Sequence, residues 1–362
     1  MLRSSMSMDV ASNVAAASDR LATLHYRIMA MVDPNQSSAK ESPTAGDRHP
    51  LCNRRPMPPN IRSLTTYYGT LAATICALLL LAPGASGAAE TWRSSFSVTP
   101  AWQGNAKLDN GGDFDAAGIA IRVSTSTGFG AGHRAGVALH YDHLDYDFSR
   151  QTAFGDAPWG EVQRFGFGVP LLFSGSAGWS YGVTPSVEWA GEQGADSGES
   201  MVFGGIASAT RAFAPDRRLG FGVGLFSQLE ETTVIPILIV NWRLSERLSL
   251  VNPLPAGPVG PAGLELDYRF DNGWRLGLGA TRRSLRFRLS DTGAAPGGVG
   301  EQRGVPVFLR LSANISDQAS LVLYAGAIVE GKLRVEDSRG NKLREDSFDP
   351  APLLGATFRM RF

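Results

Sequence analysis

The sequence predicts an all-β fold, a single antiparallel transmembrane β-barrel of fourteen strands, with twelve as the alternative count. Three observations carry this. The last nine residues alternate strictly: Leu354, Ala356, Phe358, Met360 and Phe362 share one face, and Gly355, Thr357, Arg359 and Arg361 the other. Period two marks a β-strand, and a chain that ends on an aromatic in mid-strand suits a sheet whose last strand closes on its first. Short and long connections alternate along the chain, as in barrels with short periplasmic turns and long outer loops. Finally, no stretch of eighteen apolar residues offers a membrane-spanning helix. A barrel escapes that test because each strand shows lipid only every second residue.

The totals agree. Glycine is abundant, 42 of 362 residues, against a usual ~7%, and glycines within strands mark bends and crowded interiors. Thirty-four Lys and Arg balance thirty-four Asp and Glu, so there is no electrostatic case for a nucleic-acid partner. The two cysteines, Cys52 and Cys76, lie upstream of the expected mature chain. That chain therefore has no disulfide or thiolate-metal site, and no cofactor is expected.

Residues 1–56 have no clear period and read as an upstream extension outside the fold, with a short helix conceivable over 21–32. Residues 57–89 read as a secretory signal peptide. Met57 is a second start and Arg62 gives the positive region. Residues 71–82 form a twelve-residue apolar segment, and Ala85-Ser86-Gly87-Ala88-Ala89 offers a cleavage site. The apolar segment is too short to span a bilayer. Ile75, not a small residue, precedes Cys76, which argues against a lipoprotein. Residues 90–362 are expected to form the barrel.

Strands are predicted at 92–102, 113–126, 133–144, 161–173, 179–189, 200–213, 218–228, 234–243, 248–252, 263–270, 274–289, 302–315, 320–329 and 353–362. Most reach the roughly 9–11 residues that cross a bilayer obliquely; 248–252 is too short alone. Short turns fall at 127–132, 174–178, 214–217, 244–247, 271–273 and 316–319. Longer loops fall at 103–112, 145–160, 190–199, 252–262, 290–301 and 330–352, and only 229–233 is short where a long loop is due. Asp271-Asn272-Gly273 between alternating strands is a strong hairpin signal.

The faces follow from cost. Val305, Val307, Leu309, Leu311, Ala313 and Ile315 oppose Arg310, Ser312 and Asn314. Leu264, Leu266, Tyr268 and Phe270 oppose Glu265, Asp267 and Arg269. Slipping the second strand by one residue would put its charges into lipid, at ~2–4 kcal/mol for a basic residue at the midplane. The apolar sets therefore face outward and the charges line the lumen. Inward Arg122, Arg164, Glu188, Glu265, Asp267, Arg269, Arg310 and Arg359 mix both signs, which argues against a strongly ion-selective pore. Apolar parity switches after Ala280, around 282–284, as at a bulge or a departure from the membrane. Trp92, Trp102, Trp159, Trp179, Trp189, Trp242, Trp274 and Tyr181, near strand ends, suit interfacial girdles. A soluble β-sandwich core is the plainer use for such aromatics.

Several segments also carry a family resemblance. These are His140-Tyr141-Asp142-His143-Leu144-Asp145-Tyr146-Asp147-Phe148, Val251-Asn252-Pro253 with Ala256-Gly257-Pro258 and Gly260-Pro261-Ala262-Gly263-Leu264-Glu265-Leu266, and Val305-Pro306-Val307-Phe308-Leu309-Arg310-Leu311. With Tyr324-Ala325-Gly326-Ala327 and Glu336-Asp337-Ser338, they resemble the family called domain of unknown function 6268. The resemblance extends over 92–362. It implies an outer-membrane β-barrel and brings no activity and no functional residues.

Chemistry is sparse. His140 and Asp142 point into the lumen and are the candidate catalytic residues of an outer-membrane lipid hydrolase, although no motif names a nucleophile. Asp145 and Asp147, with His143, share the other parity near the outer rim and are candidate calcium ligands. The plainer reading of all five is a solvated strand end and lumenal charge. Loop 330–352, rich in both signs, reads as a solvated outer loop; it could instead fold inward as a constriction or contact lipopolysaccharide. Loop 252–263, with four prolines, is rigid.

The function expected is a passive pore or small-solute conduit. A lipid-modifying hydrolase and a structural or adhesive barrel are the alternatives. Expected partners are outer-membrane lipid, lipopolysaccharide and, during biogenesis, the barrel assembly machinery. Phe358, Met360 and Phe362 would present the assembly signal.

Overall fold

A computed structural model describes residues 92–149, 151–155, 157–253, 257–260, 262–293 and 295–362. The extension, the signal peptide and both cysteines lie outside the described residues. Strands come in order as β1 (Arg93–Lys107), β2 (Asp113–Phe129), β3 (His133–Phe148), β4 (Val162–Gly168), β5 (Leu171–Ser174), β6 (Trp179–Glu192), β7 (Met201–Ala214), β8 (Arg217–Gln228) and β9 (Glu231–Arg243). They continue as β10 (Leu248–Val251), β11 (Gly263–Arg269), β12 (Arg275–Thr281), β13 (Arg283–Arg288), β14 (Val299–Asn314), β15 (Ala319–Glu336), β16 (Lys342–Phe348) and β17 (Ala351–Arg361). Three of these are second halves of interrupted strands (β4/β5, β12/β13 and β16/β17), so seventeen segments make fourteen strands. Each strand pairs antiparallel with its chain neighbour. The sheet closes where β17 lies between β15 and β1, with Phe358 opposite Leu321 on one side and Val98 on the other. The last strand thus has both predicted partners. Closure matters because an open edge would leave backbone N–H and C=O groups unpaired in lipid.

Burial confirms the faces. Phe221 (69% exposed), Val234, Leu278 and Leu309 stand outside, while Glu265 (1%), Asp267 and Arg310 (5%) are enclosed. A continuous apolar outer face around a charged interior calls for lipid, not water, around the barrel. At the short-turn end the belt finishes in aromatics. Trp179 stacks on Tyr181 at 6.2 Å, Arg211 lies over Trp179 and Phe213, and Arg217 lies over Trp242. Cation–π contacts at this level place charge at a water interface and rings in the apolar layer.

The other end departs from the expectation of loops. β1 runs on to Lys107 and β3 to Phe148, and 330–352 is no solvated loop but the paired ends of β15 and β16. Lys332-Leu333-Arg334-Val335-Glu336 is itself period two, a pattern hidden by its charge density. Together β13, the first residues of β14, the end of β15 and β16 make a four-stranded extension. Leu285, Phe287, Leu333, Val335 and Phe348 on its inner face are buried. Its outer face is charged: Arg334 bonds Glu345 (3.0 Å) and Glu336 (3.2 Å), and Arg303 bonds Glu345 (3.0 Å).

At the parity switch the pairing of β12 and β13 with β14 stays in step, Ala280 opposite Val307 and Arg283 opposite Gly304. The switch is therefore departure from the membrane, not a bulge. Past Arg282 the apolar side of the sheet turns from lipid to the interior.

This extension folds across the barrel mouth. Arg288 bridges Gly191 of β6 in parallel. Phe287 meets Trp159 edge-on at 5.2 Å, Phe348 meets Phe114 at 5.2 Å, and the Tyr146 hydroxyl donates to Gln302 at 2.7 Å. Trp159, expected in a girdle, is 2% exposed at the heart of this cluster. Trp102 points outward in mid-strand because β1 continues beyond it. On the other side Arg286 donates to the carbonyl of Leu229, and Arg288 to Glu230 and to the carbonyl of Glu199.

Unheated in SDS, a closed barrel should migrate faster than its boiled form. Gel mobility before and after heating checks this, and identical mobility would count against closure.

Candidate functional site

The lumen holds three zones. In the middle, ion pairs cross the wall in two ladders. On one side Arg122 of β2 binds Asp142 of β3, Arg164 of β4 reaches Asp142 (3.6 Å) and Glu188 of β6 (2.7 Å), and His140 shares a 2.7 Å hydrogen bond with Glu188. His140 and Glu188 sit two strands apart, with Gly166 between them. A Cβ on Gly166 would fall 2.0 Å from the imidazole ring, so glycine is what lets the pair meet. The opposite ladder repeats the device. Arg310 of β14 donates to Glu265 (2.7 Å) and to Asp267 of β11, and Arg275 also binds Asp267. Gly277 lies between, where a Cβ would meet Glu265 at 2.2 Å. Buried charges persist only when paired and hydrogen-bonded.

Toward the long-connection end the proline-rich loop enters the lumen. Asn252 anchors it by accepting from the Val240 amide (2.7 Å) and donating to the carbonyls of Leu238 (2.8 Å) and Gly263 (2.9 Å). The Thr281 hydroxyl donates to the Val259 carbonyl at 2.6 Å, and Val259 is fully buried. Pro258 packs on Gly355 of β17 and Gly257 beside the Tyr324 hydroxyl. Residues 257–260 are therefore an inward constriction, and Pro258 suits a segment that has no ladder to join.

The third zone is the wall of β7, β8 and β9. Gly220, Gly222 and Gly224 form an inward row, flanked by Ile206 and by half-buried Ile235, Ile237 and Ile239. Phe226 on the same parity lies over Gly204 and Gly224, so this side of the lumen is lined by apolar side chains and backbone. At the short-turn mouth below it lies a cavity of about 270 Å³, lined by Asn241, Arg243, Ser249, Asp267, Arg269 and Arg275 among others.

The residues singled out in the sequence separate. His140 and Asp142 both face the lumen, but His140 bonds Glu188 and Asp142 serves two arginines, and no hydroxyl bonds His140 among the described residues. Asp145 and Asp147 are exposed on the outer face opposite Ala117 and Asp115. No group of three or more metal-ligating side chains gathers among the described residues. Phe358, Met360 and Phe362 face outward beside β1, with Phe362 exchanging backbone hydrogen bonds with Ser94. The glycine gaps were absent from the sequence reading, although each stands in a strand between two of opposite charge.

Residues 193–361 match the profile of the family described as Domain of unknown function (DUF6268). The segments at 251–266, 305–311, 324–327 and 336–338 fall inside the match; 140–148 does not. No curated protein matches the sequence. Among solved structures, an outer membrane channel of Pseudomonas putida F1 aligns with 10% identity and a TM-score of 0.43, covering 78% of this chain and all of that one. The Pseudomonas putida toluene transporter TodX aligns with 8% identity and a TM-score of 0.39, covering 76% and 91%. The β domain of the Bordetella autotransporter Brka aligns with 14% identity and a TM-score of 0.34, covering 75% and 100%. Likeness this distant carries no function across.

Two predictions follow from these contacts. Arg310→Leu strands Glu265 and Asp267 without their shared partner and should cost roughly 3–5 kcal/mol in urea unfolding from lipid vesicles. Adding Glu265→Gln should recover part of that loss; an unchanged midpoint in the single variant would refute the ladder's role. In the extension, burial would raise the Glu345 carboxyl, but the Arg334 hydrogen bond and the charges of Arg303, Arg334 and Lys332 outweigh it and hold it below the usual range. Its pairing is therefore complete above about pH 5 and fades as pH falls through that lowered value. Amide exchange in β16, corrected for intrinsic rates, should quicken on acidification more in the native chain than in Glu345→Gln.

Proposed function

We propose that this chain is an outer-membrane barrel that passes small solutes, with short turns toward the periplasm and its folded-over end outward against lipopolysaccharide. The carrying observation is the uneven filling of the lumen. The outer end is stoppered by the β13–β16 extension and its aromatic cluster. The β7–β9 wall carries glycines and isoleucines in place of an ion-pair ladder, and a cavity of about 270 Å³ is left open at the short-turn mouth. Fourteen strands enclose more than side chains need, yet less than a wide porin. Such a barrel is a narrow conduit whose resistance sits in one removable element. The last strand's outward Phe358, Met360 and Phe362 fit the signal read at assembly, and cleavage near Ala88 to Glu90 fits export.

The test is conductance in planar bilayers. The native protein should give small, infrequent openings. Replacing residues 333–346 by a short turn should raise the conductance severalfold. If neither protein conducts, the conduit reading falls.

A further inference from the structure

The inward positions nearest the short-turn mouth are unlike the rest of the lumen. Counting down each strand on its inner parity, they include Arg218 of β8, Arg243 of β9, Arg269 of β11, Arg275 of β12, and Arg359 and Arg361 of β17. Three carboxylates line the cavity among them, and the adjoining short turns carry two more, Asp271, paired with Arg247 at 2.8 Å, and Asp317. Asp267 is buried and already shared by Arg275 and Arg310, Asp216 pairs with Arg243 at 3.3 Å, and Glu246 lines the cavity. Arg269 reaches only the backbone carbonyl of Glu246 (3.3 Å). Arg218, Arg359 and Arg361 have no carboxylate within ion-pair range among the described residues. The mid-lumen ladders cancel their own charge; the mouth does not. Seen along the whole lumen the two signs mix, and seen by depth they separate.

We propose that this mouth is a vestibule for small oxyanions, carboxylates or phosphates, and that the conduit prefers anions. Guanidinium groups stay charged at any working pH and present paired N–H donors that match an oxyanion. A rim in which arginines outnumber carboxylates, inside low-dielectric walls, focuses a positive field on the opening. The cavity of about 270 Å³ is lined by Arg243, Arg247, Arg269 and Arg275 against Asp216, Glu246 and Asp267, and gives a small anion room beside the guanidinium groups. Selectivity rests on the conduit reading; anion binding at the mouth does not.

Two measurements separate them. In planar bilayers under a tenfold KCl gradient, the reversal potential should show chloride permeating severalfold better than potassium. Arg359→Glu with Arg361→Glu should weaken or invert that preference while openings persist. In detergent, inorganic phosphate should raise the urea midpoint above that in chloride at equal ionic strength, and Arg269→Gln or Arg359→Gln should shrink the increment. Openings with no anion preference and no phosphate effect would overturn the vestibule and spare the conduit. Phosphate protection without openings in any variant would keep the vestibule and sink the conduit. Neither effect would sink both.

Discussion

Everything in this structure depends on one closure, the pairing of β17 with β1. A bilayer offers no water to an unpaired peptide group, so the sheet must have no edge in the apolar layer. Once the sheet is closed, its pleat forces every strand to show one parity to lipid and the other to the lumen. The outward set is then fixed by solvation alone, and Phe358 and Leu309 need only be apolar. The inward set is fixed by its neighbours, and there the detailed design lies.

That design joins charges between adjacent strands, as Arg122 with Asp142 and Arg275 with Asp267, and also across an intervening one. Where acid and base sit two strands apart, as His140 with Glu188 and Arg310 with Asp267, the strand between them carries glycine at the crossing, Gly166 in one ladder and Gly277 in the other. Glycine in a strand loses packing and conformational entropy. Here the loss is offset because a missing Cβ lets a carboxylate and a guanidinium meet over the backbone. The two ladders stand on either side of the β7–β9 wall, which has glycines and isoleucines but no ion pairs spanning it. The polar lumen is thus stiffened along two lines and lined by apolar side chains along a third.

Much of the fold was legible because lipid enforces a simple rule. Fourteen strands, their faces, and the two partners of the last strand all follow from period-two alternation and connection length. What was not legible lay where the rule stops. Beyond the apolar belt, both faces of a strand can be solvated or packed on protein, so alternation no longer says which side is inside. Residues 330–352 looked like loop because charge dominates them, although Leu333 and Val335 alternate with Lys332, Arg334 and Glu336. Trp159 looked like a girdle residue because aromatics at strand ends usually are, and only the contact with Phe287 puts it in a core. The inward course of residues 257–260 has no local signal. The prolines announce rigidity but not direction, and the direction comes from contacts with Thr281, Tyr324 and Gly355, which are distant in sequence.

The change at Arg282 shows why the barrel can carry its own stopper. Below it the apolar residues of this strand face lipid: Leu276, Leu278 and Ala280. Above it they face inward: Leu285, Phe287 and Leu289. The strand keeps the same register with β14 on both sides of the switch, so no residue is inserted, and only the pairs at Thr281 and Arg282 drop out of the ladder. Only the apolar parity moves by one. A sheet with the apolar side outward must stay in lipid, whereas one with the apolar side inward must fold over something apolar. Two solvents acting on one continuous sheet therefore drive the barrel in one half and the cover in the other. The cover is held at its far edge by the buried Arg286 and Arg288 against Leu229, Glu230 and Glu199, and over the mouth by Phe287 on Trp159 and Phe348 on Phe114. Its near edge is continuous with the wall.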